Sequence, residues 1–431
     1  MNFHKINIAI VGFGNIGSYF YRTLEANKKD IHVKTGKVPH VKYICARSLS
    51  KKRNIKLPKS KWVKNFTKIL SDNDIEIIVE LIGGSDGPAK RLVFSALKQG
   101  KHVITANKSL ISKYGDQLAY LAEKNNVNLE YEASVAGGVP IIRSIKEGLI
   151  ANKINKIYGI LNGTTNYILS SMESKNKTFY EILDKAKKLG FAESNPISDL
   201  NGNDSASKLR ILSSLAFNKS ISKNKILTEG ILNINLNDIL HAKNLGYKIK
   251  LLSISEIRKN KLMERVHPCL ISKNSYIAKI DGVLNAVVVD GLPIGKSVLQ
   301  GEGAGPGPTT SALISDLCSV LKGEINYPFG VSSLSRKKIA KFDVLNHMCS
   351  SYLRIEVKDQ PGVLSSITKS FAKNKISIKN LIQKPNKKNR KASIIIITHE
   401  NFEKNFNSLL ANLSRNRFVL RKPTFIRIET V

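Results

Sequence analysis

The sequence predicts an α/β protein in which a doubly wound parallel sheet is followed by an α+β domain and a smaller ferredoxin-like domain. Three observations carry this prediction. Strand-like and helix-like segments alternate over residues 1–133, a glycine-rich turn joins the first strand to the first helix, and residues 350–431 follow the order βαββαβ. A length of 431 residues also suits two or three domains rather than one.

The first strand and the turn after it predict a dinucleotide-binding site. A short apolar run, INIAIV, precedes a GxGxxG turn and a helical segment. The first glycine permits a tight bend, the second lets the backbone approach a pyrophosphate, and the third lets the helix pack closely on the strand. A glycine turn that serves only packing is the alternative. The turn residues expected at the cofactor are Gly12, Phe13, Gly14, Asn15, Ile16 and Gly17.

Further strand-like and helix-like segments extend the parallel sheet. Repeated strand–helix units indicate the Rossmann-type, doubly wound arrangement. Gly83 follows one of these strands directly, so it is a further candidate for cofactor contact. The predicted strands span residues 41–46, 75–82, 102–106 and 127–131, and the predicted helices span residues 86–99 and 109–125.

The end of the second strand normally distinguishes NAD(H) from NADP(H), because an acidic residue there binds the ribose 2′-hydroxyl. This chain has Arg47 and Ser48 instead, with Lys51, Lys52 and Arg53 nearby. Basic residues favour a 2′-phosphate, so we expect NADP(H) as the preferred cofactor and Arg47 as one of its contacts. Because basic residues occur throughout the chain, NAD(H) stays open.

The chain is strongly basic, with a formal net charge of +36. Such a charge is compatible with a nucleic-acid-binding regulator. The lysines are spread over the whole chain, however, and the sequence has no helix-turn-helix, zinc-finger spacing or arginine-rich arm. We therefore interpret the charge as a solvated surface and expect no nucleic-acid partner.

The sequence also predicts the compartment. No stretch approaches the roughly 20 apolar residues that span a bilayer, and the N-terminus lacks the pattern of a secretory signal. Four widely spaced cysteines form no metal-binding or redox motif. We therefore expect a cytoplasmic protein with reduced thiols and no membrane partner.

Two polar stretches in the middle of the chain are the candidates for chemistry. Residues 160–167 form a turn that could present donors to a carboxylate or an amide, although Thr164 or Thr165 could instead cap the following helix. Residues 190–208 concentrate acids in a chain that is poor in them. These acids are Glu193, Asp199 and Asp204.

A helix predicted over residues 203–217 places a charged pair on an apolar stripe. Asp204 and Lys208 lie one turn apart on it. A lysine there is either partly desolvated, which suits proton transfer, or extends from the edge of the stripe to water. Carboxylates around a lysine also fit recognition of an amino-acid ammonium group. The stripe consists of Asp204, Lys208, Ile211, Leu212 and Leu215.

Eight stretches along the chain share their order and spacing with one enzyme family. They are GFGNIG at 12–17, ITANK at 104–108, YEASVAGGVPII at 131–142, GILNGTTNYIL at 159–169, DLNGNDSASKLRIL at 199–212, VHPCLI at 266–271, GVLNAV at 282–287 and GEGAGPGPTTSA at 301–312. The chain resembles homoserine dehydrogenase over nearly its whole length. The asparagine–glycine–threonine turn and the aspartate–lysine helix are the most specific matches.

The resemblance implies the reversible, NAD(P)H-dependent reduction of L-aspartate 4-semialdehyde to L-homoserine, on the route to threonine and methionine. It implies that Lys208 is the proton donor to the aldehyde oxygen and that Lys108 is a second active-site lysine, placed at cofactor and substrate. A catalytically inactive regulatory subunit is the alternative, and the presence of both lysines argues against it. The implied substrate-side residues are Glu193, Asp199, Asp204 and Thr164.

The resemblance further implies a site for a monovalent cation, usually sodium, because one carboxylate and backbone carbonyls suit a hard ion. It also implies that Gly303 lies in a loop that returns to the cofactor. The sequence departs from the family pattern at Asn195, where many relatives carry an acid, and at Pro306 and Pro308 in the glycine-rich loop. The implied cation ligands are Glu132, Val135, Gly137 and Val139.

The C-terminal segment predicts a ferredoxin-like unit. Residues 359–364, which form its first turn and the start of its first helix, resemble the start of an ACT domain, which binds amino acids, usually between two copies. The implied effector is L-threonine acting as a feedback inhibitor, and a domain that only dimerises is the alternative. The predicted strands span residues 353–357, 376–382 and 392–398 with a last one inside 418–428, and the predicted helices span residues 363–371 and 402–413.

We therefore divide the chain into four parts and expect at least a homodimer, formed through the substrate and C-terminal domains. The parts are an NAD(P)-binding domain at residues 1–133, completed by about 303–330, a substrate-binding and dimerisation domain at 134–302, a linker at 331–349 and an ACT regulatory domain at 350–431.

Overall fold

The computed structural model describes residues 4–48, 55, 57–386 and 390–431. It confirms the predicted architecture of a doubly wound parallel sheet, an α+β middle part and a C-terminal ferredoxin-like unit. Within the described residues no helix combines the length and the apolar character needed to cross a membrane.

The first sheet consists of six parallel strands, β1 (Lys5–Val11), β2 (Val38–Cys45), β3 (Trp62–Val63), β4 (Ile77–Glu80), β5 (His102–Thr105) and β6 (Leu129–Glu130). Their order across the sheet is β3-β2-β1-β4-β5-β6. The central strands are buried on both faces, which explains their continuous apolar runs. The chain reverses its winding between β1 and β4, and ligands of such sheets bind beside that point.

Among the described residues, five helices connect these strands. They are α1 (Asn15–Ala26), α2 (Lys28–Thr35), α3 (Thr67–Ser71), α4 (Pro88–Lys98) and α5 (Lys108–Lys124). α1 begins directly after the glycine turn, and α5 begins directly after β5, so the N-termini of both helices lie at the carboxyl edge of the sheet.

The middle part of the chain adds six further strands, β7 (Lys153–Ile160), β8 (Leu227–Thr228), β9 (Tyr247–Arg258), β10 (Lys261–Ser272), β11 (Leu284–Leu292) and β12 (Gly295–Glu302). Its helices are α6 (Ile141–Arg143), α7 (Gly163–Lys175), α8 (Phe179–Lys188), α9 (Ile197–Leu200), α10 (Asn203–Ala216), α11 (Leu236–Asn244) and α12 (Pro306–Lys322). α12 returns to the first domain, where Leu313, Leu317 and Val320 share a core with Phe20 and Leu24 of α1.

The C-terminal part contains β13 (Met348–Lys358), α13 (Val363–Lys373), β14 (Ile378–Asn386), β15 (Lys391–Thr398), β16 (Asn401–Phe402), α14 (Glu403–Ser414) and β17 (Thr424–Ile428). Apart from the two-residue β16, this is the predicted order βαββαβ. The last strand begins directly after Pro423, because proline has no N–H for the ladder.

A single second sheet joins the middle and C-terminal parts, which the sequence analysis did not predict. Its order is β12-β11-β7-β9-β10-β17-β13-β15-β14, with β8 also paired to β10. β17 runs parallel to β10, with Cys269 opposite Arg427. The segment between α12 and β13 packs across the junction, where the Phe342 N–H donates to the Leu262 carbonyl over 2.8 Å.

Candidate active site

Asp204 and Lys208 lie one turn apart on the buried face of α10. Lys208 Nζ is 2.8 Å from Asp204 Oδ2 and donates to the Leu161 carbonyl over 2.7 Å. Only 9% of Lys208 is exposed, so its side chain does not extend to bulk water. The alternative in which this lysine reaches solvent from the edge of the stripe is therefore wrong.

Lys108 reaches the same carboxylate from the other domain. It is the first residue of α5, and its Nζ lies 3.0 Å from Asp204 Oδ1. Burial opposes ionisation of Asp204, but the charges of Lys208 and Lys108 outweigh it and hold the pKa of Asp204 well below its usual range. Asp204 is therefore a carboxylate with one ammonium group on each oxygen.

Asn162 connects the two acids of the site, a role that the sequence analysis missed. Its Nδ2 donates to Asp199 Oδ1 over 2.9 Å and to Asp204 Oδ2 over 3.0 Å. Its Oδ1 accepts from the N–H of Thr165 over 2.9 Å, so Asn162 is the N-cap of α7. The prediction that Thr164 or Thr165 caps this helix is wrong, because both lie inside its first turn. The capping preference of asparagine was the available signal.

The remaining substrate-side candidates surround this centre. Burial, and then the charge of Asp204, raise the pKa of Asp199, so Asp199 loses its proton less readily than Asp204 does. Thr164 donates its hydroxyl to the Phe191 carbonyl over 2.6 Å, which ties the start of α7 to the loop carrying Glu193. Glu193 is exposed and lines the open side of the cleft.

The glycine turn has the geometry of a pyrophosphate cradle. A Cβ on Gly12, whose φ is +105°, would lie 2.4 Å from the Leu81 backbone, and one on Gly17 would lie 2.3 Å from the Gly12 carbonyl oxygen. A Cβ on Gly14 would meet no heavy atom within 4 Å. The first and third glycines therefore serve close packing, while the second leaves its backbone open to a ligand.

The other cofactor candidates differ in their surroundings. Ile16 lines the cleft, and Asn15 is an exposed first residue of α1. Phe13 points into the core, with its ring edge-on to Trp62 at 5.4 Å, so only its backbone is available to a cofactor. Arg47 is exposed just beyond β2. Lys51, Lys52 and Arg53, which contributed to the NADP(H) prediction, lie outside the described residues.

Buried Glu80 organises the loop that carries Gly83, and the sequence analysis did not single it out. Its Oε1 accepts from the N–H groups of Ile82 and Gly83 over 2.7 and 3.0 Å, and its Oε2 accepts from the Thr105 hydroxyl over 2.6 Å. Thr105 in turn accepts from the Asn107 N–H, directly before Lys108. One carboxylate thereby fixes the loops that follow β4 and β5.

A cleft of about 600 Å³ brings these groups together between the first and middle domains. Gly303 closes one side of it, where a Cβ would overlap the Asn285 side chain at 2.1 Å. The predicted site residues that line the cleft are Ile16, Lys108, Gly137, Thr164, Glu193, Asp199, Asp204, Lys208 and Gly303.

The cation candidates lie beneath the cleft. Glu132 is 3% exposed, and its two carboxylate oxygens accept from the N–H groups of Ile142 and Arg143 over 2.9 and 2.7 Å. Val135 and Val139 are buried on either side of a turn in which Gly137 has a φ of +43°. The structure thus brings one carboxylate and a tight backbone loop together.

The charges around Glu132 leave room for one more cation. Within the described part of the chain, the three buried carboxyl groups of Glu130, Glu132 and Asp316 have two ion-pair partners, Lys146, 3.1 Å from Glu130, and Arg143, 3.7 Å from Asp316. Burial, followed by the charges of Glu130 and Glu132, raises the pKa of Asp316, and burial also raises that of Glu132. Raised pKa values mean that these carboxyl groups tend to keep their protons, and a monovalent cation bound by their oxygens would take the place of such a proton.

Comparisons with known proteins agree with this geometry. Residues 12–132 match the family model "Homoserine dehydrogenase, NAD binding domain", residues 140–318 match "Homoserine dehydrogenase", and residues 351–418 match "ACT domain". Homoserine dehydrogenases of Neisseria gonorrhoeae and Bacillus subtilis are 37% and 34% identical, over 99% and 98% of both chains. The crystal structure of a homoserine dehydrogenase from Thiobacillus denitrificans is 36% identical, with a TM-score of 0.91 over 99% of both chains. The chain therefore belongs to the homoserine dehydrogenase family and is an NAD(P)-dependent oxidoreductase that acts on a CH–OH group.

Proposed function

We propose that the protein catalyses the reversible reduction of L-aspartate 4-semialdehyde to L-homoserine, with NADP(H) as the preferred cofactor. The observation that carries this proposal is the Asp204 carboxylate held between Lys108 and Lys208, at 3.0 and 2.8 Å, inside a cleft that begins at the glycine turn. A small substrate that is both an amino acid and a carbonyl compound requires acids and a proton donor together.

Lys208 is the proton donor in this proposal. Negative charge grows on the aldehyde oxygen as the carbonyl is reduced, and a positioned ammonium group neutralises that charge and supplies the proton. In homoserine oxidation the neutral amine takes the hydroxyl proton back. Asp204 keeps the ammonium groups of Lys208 and Lys108 in a fixed orientation, and Lys108 contributes positive charge next to the cofactor.

The acids recognise the substrate's ammonium group. Glu193 and Asp199 line the same cleft as the two lysines, and Asn162 fixes Asp199 by a bond of 2.9 Å. Because Thr164 holds the loop carrying Glu193, we infer that Thr164 shapes the substrate end of the cleft as well as contacting it.

The cofactor is held by the glycine turn, by Gly83 and by the loop at Gly303. When bound, the nicotinamide supplies or accepts the hydride. In this proposal Arg47, which is exposed beyond β2, binds the 2′-phosphate and thereby favours NADP(H) over NAD(H). Glu132, together with backbone carbonyls of Val135, Gly137 and Val139, would hold a sodium ion that stabilises the loop beneath the cleft.

The test of the reaction is L-homoserine oxidation by the purified protein, followed by absorbance of the reduced cofactor with NADP⁺ and NAD⁺ in parallel. The proposal predicts homoserine-dependent reduction that is faster with NADP⁺. Arg47→Ala should lower the ratio of the rate with NADP⁺ to the rate with NAD⁺. A folded protein that binds NADPH but does not turn over homoserine with either cofactor would contradict the assigned substrate.

We further propose that the C-terminal ACT domain binds L-threonine and inhibits the enzyme, and that the protein is at least a homodimer. The shared sheet supports the regulatory part, because the pairing of β17 with β10 connects the ACT domain directly to the middle domain. Inhibition of the full chain by L-threonine but not D-threonine, with binding in a titration, is expected. Sedimentation as a monomer would contradict the proposed homodimer. An activity that does not change with L-threonine would contradict the proposed inhibition.

A further inference from the structure

The segment 228–231 lies between the ACT domain and the active site. On its ACT side, Glu229 receives a two-pronged ion pair from Arg427 of β17, with Nη1 2.8 Å from Oε2 and Nη2 3.1 Å from Oε1. The paired geometry fixes orientation as well as distance. Arg427 is 4% exposed, and Glu403 holds its other side, with Nη2 3.0 Å from Oε2. The buried arginine is therefore held between two carboxylates, those of Glu403 and the partly exposed Glu229.

On its other side the same segment supports the turn between α9 and α10. The Ile231 N–H donates to the Leu200 carbonyl over 2.9 Å. A Cβ on Gly230 would lie 2.1 Å from that carbonyl oxygen and 2.5 Å from the Asn201 Cα. The two backbones are therefore in direct contact, with no side chain between them to absorb a displacement.

This turn carries the substrate-side acids at its two ends. Asp199 precedes Leu200 in α9, and Asp204 lies in the first turn of α10. Asn162 spans both carboxylates. A shift of the turn therefore moves Asp199 relative to Lys208, and small displacements of a positioning group are costly to the reaction.

We propose that Glu229 is a positioning residue for this enzyme: its ion pair with Arg427 of the ACT domain holds the segment 228–231 against the α9–α10 turn and so sets the place of Asp199 in the cleft. The inference rests on the proposed role of Asp199 and Asp204 in binding homoserine. It does not depend on whether threonine is the effector.

A second ion pair between the same two domains provides a matched control. Arg354 of β13 donates to Asp238 from Nε over 2.7 Å and from Nη2 over 3.2 Å, and Tyr352 also donates to it over 3.1 Å. Asp238 lies in α11, beyond the segment 228–231. Among the described residues, none of its hydrogen bonds or ion pairs involves residues 199–204.

The experiment compares Glu229→Gln with Asp238→Asn in the full chain. For Glu229→Gln we expect the KM for L-homoserine to rise about 2- to 30-fold, while the KM for NADP⁺ changes less than about twofold. For Asp238→Asn we expect a lower melting temperature, because Arg354 loses its fully buried carboxylate partner and keeps Glu356, but an unchanged KM for L-homoserine.

A third variant tests the contact itself. Gly230→Ala adds a Cβ against the Leu200 carbonyl, so it should also raise the KM for L-homoserine while Arg427 stays paired. If the wild-type enzyme turns over homoserine and Glu229→Gln leaves its KM unchanged, the inference fails while the proposed function stands, whatever Gly230→Ala does. It also fails if Asp238→Asn raises this KM as much as Glu229→Gln does. Absence of homoserine turnover in the wild type would instead contradict the proposed function.

Discussion

Lys108 and Lys208 bind opposite oxygens of one buried carboxylate, although the first comes from the nucleotide-binding domain and the second from the middle domain. Asp204 therefore joins the two halves of the site. The pairing explains how two cationic groups stay close together in a cleft that is proposed to accept the ammonium group of an amino-acid substrate.

Asp204→Asn tests whether the charge of Asp204, and not only its buried side-chain shape, positions the two lysines. The variant keeps the shape of the side chain but removes the charge that holds both ammonium groups. We expect kcat/KM for homoserine to fall at least about 100-fold, the size of a lost electrostatic contact in the transition state. Steady-state kinetics would measure it, with the exposed Asp184→Asn on α8 as control. Near-wild-type kinetics would contradict the assigned role.

Asn162 carries two separable functions, capping α7 and joining the acids. Asn162→Ser keeps an oxygen that can accept from the Thr165 N–H but cannot reach Asp199, whereas Asn162→Ala loses both functions. Thermal unfolding should show a loss of about 1 kcal/mol for alanine and little for serine. Both variants should raise the KM for homoserine. Equal stability of the two variants would disprove the capping role.

Gly14 and Gly17 should respond in opposite ways to alanine. A Cβ on Gly17 lies 2.3 Å from the Gly12 carbonyl oxygen, so Gly17→Ala should destabilise the fold by about 1–3 kcal/mol. A Cβ on Gly14 meets no heavy atom within 4 Å, so Gly14→Ala should fold normally and bind NADPH more weakly. Chemical unfolding and NADPH titration distinguish them, and an unchanged NADPH affinity of Gly14→Ala would argue against the cradle.

His347 should make folding stability depend on pH. Burial, followed by Arg265 and Arg258, lowers the pKa of His347 to about 2. A histidine whose pKa is lowered on folding contributes stability that is present above its unfolded value of about 6.5 and is lost as the pH falls below it.

Between pH 6.5 and pH 5 that loss amounts to about 2 kcal/mol. Urea unfolding at both pH values should show a smaller difference for His347→Gln than for the wild type. The exposed His399→Gln serves as control and should behave like the wild type. A larger stability difference between the two pH values for His347→Gln than for the wild type would mean that His347 is protonated in the folded protein.

Local sequence patterns predicted most of the fold. Of the three charged residues at the centre of the candidate active site, they predicted Asp204 and Lys208 but not Lys108. The glycine turn, the four-residue spacing of Asp204 and Lys208, and the alternation in β13 are properties of short segments, so periodicity and spacing find them. Lys108 was placed in the site only by the resemblance to the family. Its contact with Asp204 depends on how two domains meet, which no local pattern encodes.

Other features could not be predicted from the sequence either, because they also depend on tertiary contacts. Asn162 offered a capping signal, but its bonds to Asp199 and Asp204 join segments that are distant in the chain. Glu80 holds the nearby Gly83 and also the distant Thr105, and no local pattern indicates the second contact.

The pairing of β17 with β10 also depends on tertiary packing. The segment between α12 and β13, predicted as a linker, lies beside the continuous sheet that results. Ion pairs join the ACT domain to the middle domain: Arg265 with Glu429 is buried, whereas Arg427 with Glu229 is partly exposed at Glu229.

The most direct test of the central claim is homoserine oxidation by Lys208→Ala, measured together with its NADPH affinity and with added methylamine as a replacement base. We expect a kcat about 10²–10⁴-fold below that of the wild type and unchanged NADPH binding. The kcat should recover in part as the methylamine concentration rises. A kcat within about tenfold of wild type, with no response to the amine, would contradict Lys208 as the proton carrier.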